Sequence, residues 1–266
     1  MLTWARASLL ILALLTGCAH HGAASSDPAS VLTAARAAPQ PFALRAAYAV
    51  SIRRGEGTVS TRGALIVRAP DQFRVEVNGP VGTPLLIVAS DGHALNVYNA
   101  QNSTFYRGAD APAALAELTG GALALSDVVR VLTGQIPMPS AEVQSTGVDD
   151  RGVAVTLKAP GEALVNAHLS PKTATLADLA VVMGGVSLVT LDYDKAVKVG
   201  RSRLPGGFDL SVPSLDLGVN IDIESWDELG QIPDVFTLKP PSGATEKDLI
   251  EALHEAAVKQ GSRPQP

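Results

Sequence analysis

The sequence predicts a mainly β protein of the α+β class: one large curved antiparallel sheet with a few helices covering its concave face. The main observation is a series of roughly a dozen short apolar runs, each bounded by Gly, Pro, Asn or Asp, as strands are. These runs follow one another instead of alternating with helices, which favours an antiparallel sheet over βαβ units. Such a sheet leaves an apolar face that the few helical segments can cover.

Helices are predicted near the beginning, the middle and the end of the chain. Asp27 and Pro28 supply an N-cap acceptor and a first-turn proline for the first helix. Ser126 is the predicted cap of the central helix, which stops at Gly134. Residues 245–259 carry their apolar side chains on one stripe, which predicts the last helix.

Alternation within the strand QFRVEV separates a dry face from a wet one. The same alternation in the next two strands predicts which residues point inward. These residues are Phe73, Val75, Val77, Leu86, Val88, Leu95 and Val97. Periodicity leaves two roles open for them, because a solid core and the lining of an apolar cavity give the same pattern.

The N-terminus indicates export and lipidation. MLTWAR precedes an uncharged apolar run about half as long as a membrane-spanning helix, which is typical of a secretory signal peptide. LTGC, ending at Cys18, resembles a bacterial lipobox. Its cysteine would carry diacylglycerol and an N-acyl chain, which together hold a protein durably on a membrane. Ala19, rather than aspartate, follows the cysteine and favours the periplasmic side of the outer membrane.

These features predict a domain organisation. Residues 1–17 are the signal peptide, 18–30 a flexible tether, 31–260 a single domain and 261–266 a disordered tail. A formal net charge of −5 and 4% aromatic residues do not favour nucleic acid as a partner. The chain has one cysteine, so it can form no internal disulfide.

No catalytic or metal-binding motif is found, and we expect neither an enzyme nor a cofactor beyond the lipid on Cys18. HExxH, GxSxG and phosphate-loop signatures are absent from the sequence. His93 falls in a predicted turn, His168 in a strand and His254 on the polar side of the last helix. Asp222 and Glu224 could share a Ca²⁺, but a solvated strand face is the expected interpretation.

One stretch points to a family. FRVEVNGPVGTPLLIVASDGHALNVYNAQNSTFYRG, followed by LTGGALALSDVVRVLTGQIP, resembles the Lol-type envelope lipoprotein-sorting proteins, especially the LolB-like ones. The shared pattern is a strand with an internal arginine, a GPLG-type turn, an apolar strand, a DG hairpin and a helix ending in LxGxxP. The resemblance covers about residues 42–140.

The resemblance implies an incomplete β-barrel, a curved antiparallel sheet of about eleven strands, whose cavity holds acyl chains. It implies a monomer that accepts or localises lipoproteins at the outer membrane, with a periplasmic LolA-like carrier as a partner. It also implies an apolar loop that touches the membrane, for which Val81 is the nearest counterpart, followed by Leu85 and Leu86. The alternatives are a non-enzymatic subunit of an envelope or secretion complex, or a binder of another amphiphile.

The lipobox yields the first prediction. Cys18→Ser removes the sulfur to which diacylglycerol would be attached, so the variant should remain an uncleaved precursor that does not incorporate labelled palmitate. Gel mobility and radiolabelling of both proteins measure this. Normal processing of the variant would contradict the lipobox.

Overall fold

A computed structural model describes residues 27–79, 82–232 and 234–261. These residues form four α-helices and sixteen strands. The helices are α1 (Pro28–Ala37), α2 (Ala111–Thr119), α3 (Leu125–Leu132) and α4 (Leu249–Gly261). The strands are β1 (Ala43–Arg54), β2 (Gly57–Arg68), β3 (Gln72–Asn78), β4 (Pro84–Ser90), β5 (Leu95–Asn99), β6 (Thr104–Gly108), β7 (Val143–Asp149), β8 (Gly152–Lys158), β9 (Leu164–Leu169), β10 (Leu176–Met183), β11 (Val186–Tyr193), β12 (Val197–Val199), β13 (Ser202–Leu204), β14 (Gly207–Val212), β15 (Leu217–Glu228) and β16 (Thr245–Asp248).

One open sheet contains fourteen of the described strands, in the order β16-β6-β5-β4-β3-β2-β1-β15-β14-β11-β10-β9-β8-β7. Neighbours are antiparallel throughout, except for the parallel pair β16 and β6. The predicted class, a large antiparallel sheet with a few helices, is therefore confirmed. The sheet has more strands than the resemblance implied. β12 and β13 form a separate hairpin.

All four helices pack on one face of the sheet, which we call the helix face. Side chains of α1 are buried in a cluster with β8, β9 and β10, while α2, α3 and α4 pack in a second cluster with β1, β2 and β3. The two clusters meet at Leu123, Leu132 and Ile221, which pack against both. Among the described residues, no helix is both long enough and apolar enough to cross a membrane.

The caps of α1 and α3 show where local signals succeed and fail. The Asp27 carboxylate accepts hydrogen bonds from Ala29 N and Ser30 N, as the sequence predicted. Ser126, in contrast, lies inside α3. Asp127 performs the capping role, because its Oδ2 accepts from Ala124 N at 2.9 Å.

The prediction of a helix over 245–259 was wrong at its beginning. Residues 245–248 form β16, which pairs in parallel with β6, and α4 begins at Leu249. The side chains of β16 are all exposed, so the strand contributes backbone pairing rather than an apolar stripe. Arg107 on β6 and Glu246 add an ion pair with an N–O distance of 2.6 Å.

Part of the face opposite the helices is contacted by the segment that joins β15 to β16, residues 229–244, which we call the strap. Arg74 Nη1 donates to Val235 O at 3.0 Å, and the Arg68 guanidinium lies 4.8 Å from the centre of the Phe236 ring. Phe236 is 1% exposed. Phe105, which points away from the helices, is also buried.

Phe236→Ala tests the strap. Removing a fully buried ring costs about 3–5 kcal/mol of unfolding free energy, so the urea midpoint should fall clearly. Phe42→Ala is the matched control, because Phe42 is 65% exposed and its removal should change stability by less than about 0.5 kcal/mol. Equal decreases in unfolding free energy for the two variants would show that burial of Phe236 in the strap does not stabilise the protein.

Candidate functional site

Strand register brings the seven predicted interior residues onto the helix face. Val75, Val88 and Val97 lie directly opposite one another on β3, β4 and β5. Val77 faces Leu86 in the next row, and the row on the other side contains Phe73 and Leu95. Directly opposite residues share a face, so this set forms one continuous apolar surface.

Burial of this surface changes from one end to the other. Phe73 and Leu95 are buried under the helices, toward the end of the sheet where β1 begins. The remaining five are only half-buried, and we call them the apolar strip: Val75, Val77, Leu86, Val88 and Val97. Val59, at the start of β2 on the same face, is 60% exposed. Apolar surface therefore remains uncovered toward the other end.

The other half of the sheet is packed solid. On β8, β9 and β10 the side chains that face the helices are almost completely buried, including Leu157, Val165 and Val181. α1 supplies Val31, Leu32 and Ala35 to this packing, and few gaps are expected in such a core. The apolar strip is thus the part of the helix face where predicted interior residues are not fully covered.

α3 contacts β3 and α4 contacts β6, in the half of the sheet that carries the apolar strip, whereas α2 contacts these two helices and β11. α2 is rich in alanine and buries Ala111, Ala114 and Leu115. α4 contacts both α2 and β6. The turn between α2 and α3 contains Gly120 and Gly121, both at positive φ, where side-chain-bearing residues are strained.

A polar network fixes α3. Asp127 Oδ1 accepts from Met138 N at 2.6 Å, while Arg130 Nε donates to Ile136 O at 2.7 Å. Burial lowers the pKa of Arg130, although the nearby Asp127 carboxylate opposes this effect. Tyr193 donates its hydroxyl proton to Val131 O, and burial raises the pKa of Tyr193. α3 is held by specific hydrogen bonds, whereas α2 relies mainly on apolar contacts.

Tyr48 is a buried residue of this region that the sequence analysis missed. Its ring lies over Gly63 on β2, where a Cβ would collide with it, and its hydroxyl donates to Glu76 O at 2.8 Å. Burial raises the pKa of Tyr48. The pairing of an aromatic residue with glycine on the adjacent strand could have suggested this contact.

The structure describes only some of the residues that were predicted to contact the membrane. Val81 lies outside the described residues, as does Cys18. Leu85 and Leu86 are consecutive on β4, so they point to opposite faces, and Leu86 belongs to the apolar strip. Leu85 lies beside Gly79, where an added Cβ would come within 3.1 Å of its side chain. The membrane-contact assignment stays a prediction.

The described histidines lie on different elements of the structure. His168 is 7% exposed on the face opposite the helices, with Nδ1 2.7 Å from Asp178 and Nε2 3.0 Å from Asp149. Each ring nitrogen of His168 therefore has a carboxylate within hydrogen-bond distance. His93 is exposed, and His254 contacts Glu117 at 2.6 Å.

Within the ranges that the structure describes, no three His, Cys, Asp or Glu side chains are grouped so as to hold a metal ion. Glu224, one of the two acidic residues considered for Ca²⁺, forms an ion pair with Arg62 at 2.9 Å. The pair lies on the solvated face of the sheet, as expected for a wet strand face.

Comparison with known proteins finds proteins of similar structure, but none that matches by sequence. No family model and no curated protein matches the sequence. A LolA-superfamily protein from Nitrosomonas europaea is similar, with a TM-score of 0.52, 13% identity, and coverage of 79% of this chain and 97% of the other. The fold is LolA-like.

Two further solved structures have similar folds. A DUF1329 family protein from Desulfovibrio piger has a TM-score of 0.56 at 10% identity, covering 79% of this chain and 95% of its own. A Vibrio parahaemolyticus domain named for outer-membrane lipoprotein sorting has a TM-score of 0.53 at 8% identity, covering 78% and 96%. At such identities the likeness establishes the LolA-like fold and leaves function to be argued from the site.

Asp127→Asn tests how α3 is held. The amide keeps the shape but replaces one acceptor oxygen with a donor, which leaves Ala124 N or Met138 N unpaired. Losing a buried, charge-assisted hydrogen bond should cost about 2 kcal/mol of unfolding free energy. Faster hydrogen exchange in α3 should accompany the loss. Asp150→Asn, in an exposed turn, is the matched control and should change neither quantity.

Proposed function

We propose that this chain is a lipid-anchored, periplasm-facing protein that binds acyl chains of lipoproteins on the apolar strip and so helps to localise lipoproteins at the outer membrane. The observation that carries the proposal is that the five residues of the apolar strip are only half-buried. The helix face of the other half of the sheet is almost completely buried, so an incompletely covered apolar surface here favours a ligand. An acyl chain needs only apolar contacts, and the strip offers no charged side chain.

The covering helices suit a site that must open. α2 contributes small side chains, and its exposed Glu117 pairs with His254 on α4. Exposed pairs of this kind contribute little, about 0–1 kcal/mol. Displacing α2 therefore breaks few directional bonds, whereas displacing α3 would break its buried network.

The predicted lipid on Cys18 would hold this site close to the membrane from which acyl chains come. Outer-membrane location, delivery by a periplasmic LolA-like carrier and action as a monomer are parts of the proposal. The activity is binding without chemistry, since acyl transfer between sites requires no bond to be made or broken. A subunit of an envelope complex would use the same fold but would not need the strip to be vacant.

Photolabelling tests the proposal. Membranes from cells that express the full-length protein are incubated with a lipopeptide whose palmitoyl chain carries a diazirine, illuminated, and digested for mass spectrometry. Labelled peptides should come from β3, β4 and β5. Labelling confined to the strap face, or none at all, would argue against acyl binding on the helix face.

Val88→Thr sharpens the test because threonine keeps the shape of valine and adds a hydroxyl. Placing that unpaired hydroxyl against an acyl chain costs about 1–3 kcal/mol, so labelling should fall roughly tenfold. Val148→Thr is the matched control, since Val148 is 58% exposed on the far edge strand. Equal labelling of both variants would show that the strip does not hold the chain.

A further inference from the structure

A second concave site lies at the end of the molecule where β1 begins, beside the separate β12–β13 hairpin. Two pockets, with volumes of about 260 and 340 Å³, adjoin there and share Pro39, Arg201 and Ser202. We call them together the hairpin groove. The hairpin forms one wall, and the ends of α1 and α3 form much of the other. Its residues do not include the apolar strip, so this groove is a different site.

Unsatisfied polar atoms are concentrated around the hairpin groove. Gln135 is 6% exposed and lines it; its Nε2 donates to Pro39 O at 2.9 Å, but its Oε1 has no partner in the described chain. Gln40 also lines the groove and has a buried, unpartnered Nε2. Arg36 Nε and Arg130 Nη2 complete the set of such atoms found among the described residues.

These four residues lie on two short segments, at the end of α1 and the end of α3. Each unpaired buried group costs about 1–3 kcal/mol, so such a concentration needs a physical cause. Gln135, with its unpaired acceptor Oε1, and Gln40, with its unpaired donor Nε2, are lining residues of the groove. A ligand that offers both a donor and an acceptor, as a peptide group does, would satisfy the pair.

The hairpin offers a free strand edge to the same groove. Within the described residues β13 pairs on one side only, with β12. Val199 and Ser202 flank the two-residue turn and form the hydrogen-bonded closing pair. The next pair, Lys198 with Arg203, is then a non-hydrogen-bonded pair. The N–H and C=O of Arg203 consequently point away from β12, and Arg203 lines the groove.

Charge indicates what kind of strand would bind. Arg201 and Arg203 line the groove and are exposed, and Lys198 lies next to Arg203 on the hairpin. None of the three forms an ion pair with a described residue. Glu228 is the one acidic side chain among the described lining residues, and it lies against Gly200. The surplus of cations favours an acidic ligand.

We propose that the hairpin groove binds an extended, acidic segment of a partner polypeptide. The segment adds a strand to the free edge of β13, its peptide groups meet the side-chain amides of Gln40 and Gln135, and its carboxylates pair with Arg201 and Arg203. Addition of a strand to an open edge is a common mode of peptide recognition, in which main-chain bonds supply affinity and side chains supply specificity. The apolar Phe42 at the rim can receive an alternate side chain.

The test uses full-length protein in nanodiscs of zwitterionic lipid and a fluorescent peptide of alternating glutamate and valine. Fluorescence anisotropy should report binding, with affinity about tenfold weaker for Arg203→Glu. Arg54→Glu, an exposed arginine at the other end of the sheet, is the matched control and should bind normally. A lysine–valine peptide, and the glutamate peptide N-methylated at alternate residues, should bind at least tenfold less well.

Gln40→Met separates a ligand-binding role from a structural one. Removing the unpartnered donor should raise the urea midpoint, because a buried unsatisfied group disappears, while peptide affinity falls several-fold. A residue that only supported the fold would lower both. The proposal is overturned if the glutamate peptide fails to bind, if Arg203→Glu binds it normally, or if N-methylation has no effect. Binding of anionic phosphatidylglycerol vesicles in place of the peptide would assign the groove to a membrane surface and overturn it as well.

Discussion

Pairing of β1 with β15 is the interaction on which the rest of the molecule depends. Residues 44–54 align with 217–228, interrupted by one bulge at Glu224, and so join strands from the two ends of the described chain. Without this ladder, β2–β6 and β7–β14 would belong to two smaller sheets, each with a further unpaired edge. The single wide sheet provides the face that the helices cover, and the strap crosses part of its opposite face.

The helix face is used unevenly because its two halves receive different cover. α1 places valine and leucine side chains against β8 and β9, and the core there is complete. α2 packs on β11 and on the other two covering helices, and the valines of β3 to β5 remain half-buried. Incomplete burial of these apolar side chains lowers the stability of the fold and leaves room for an apolar ligand. α3, with its buried Asp127 and Arg130, supplies the rigid part of that cover.

The face of the sheet opposite the helices contains both apolar and polar groups that are buried outside the main core. The strap contacts Arg68 and Arg74, and its Phe236 is buried, as is Phe105 on β6. Further along the same face, His168 lies between the carboxylates of Asp149 and Asp178. The β12–β13 hairpin closes one end of the helix face with the buried Leu204 and leaves its other edge open, beside unpaired side-chain amides.

The sequence by itself determined the properties that depend on neighbouring residues. Alternation placed Phe73, Val75 and Val77 on one face, because side chains alternate in any strand, and Asp27 with Pro28 started α1, because capping acts within one turn. Tertiary structure decided the rest. β16 is a strand only because β6 offers it an edge, and Gln135 reaches the carbonyl oxygen of Pro39 only because α1 and α3 end side by side. Such contacts join residues far apart in the chain, which no local pattern encodes.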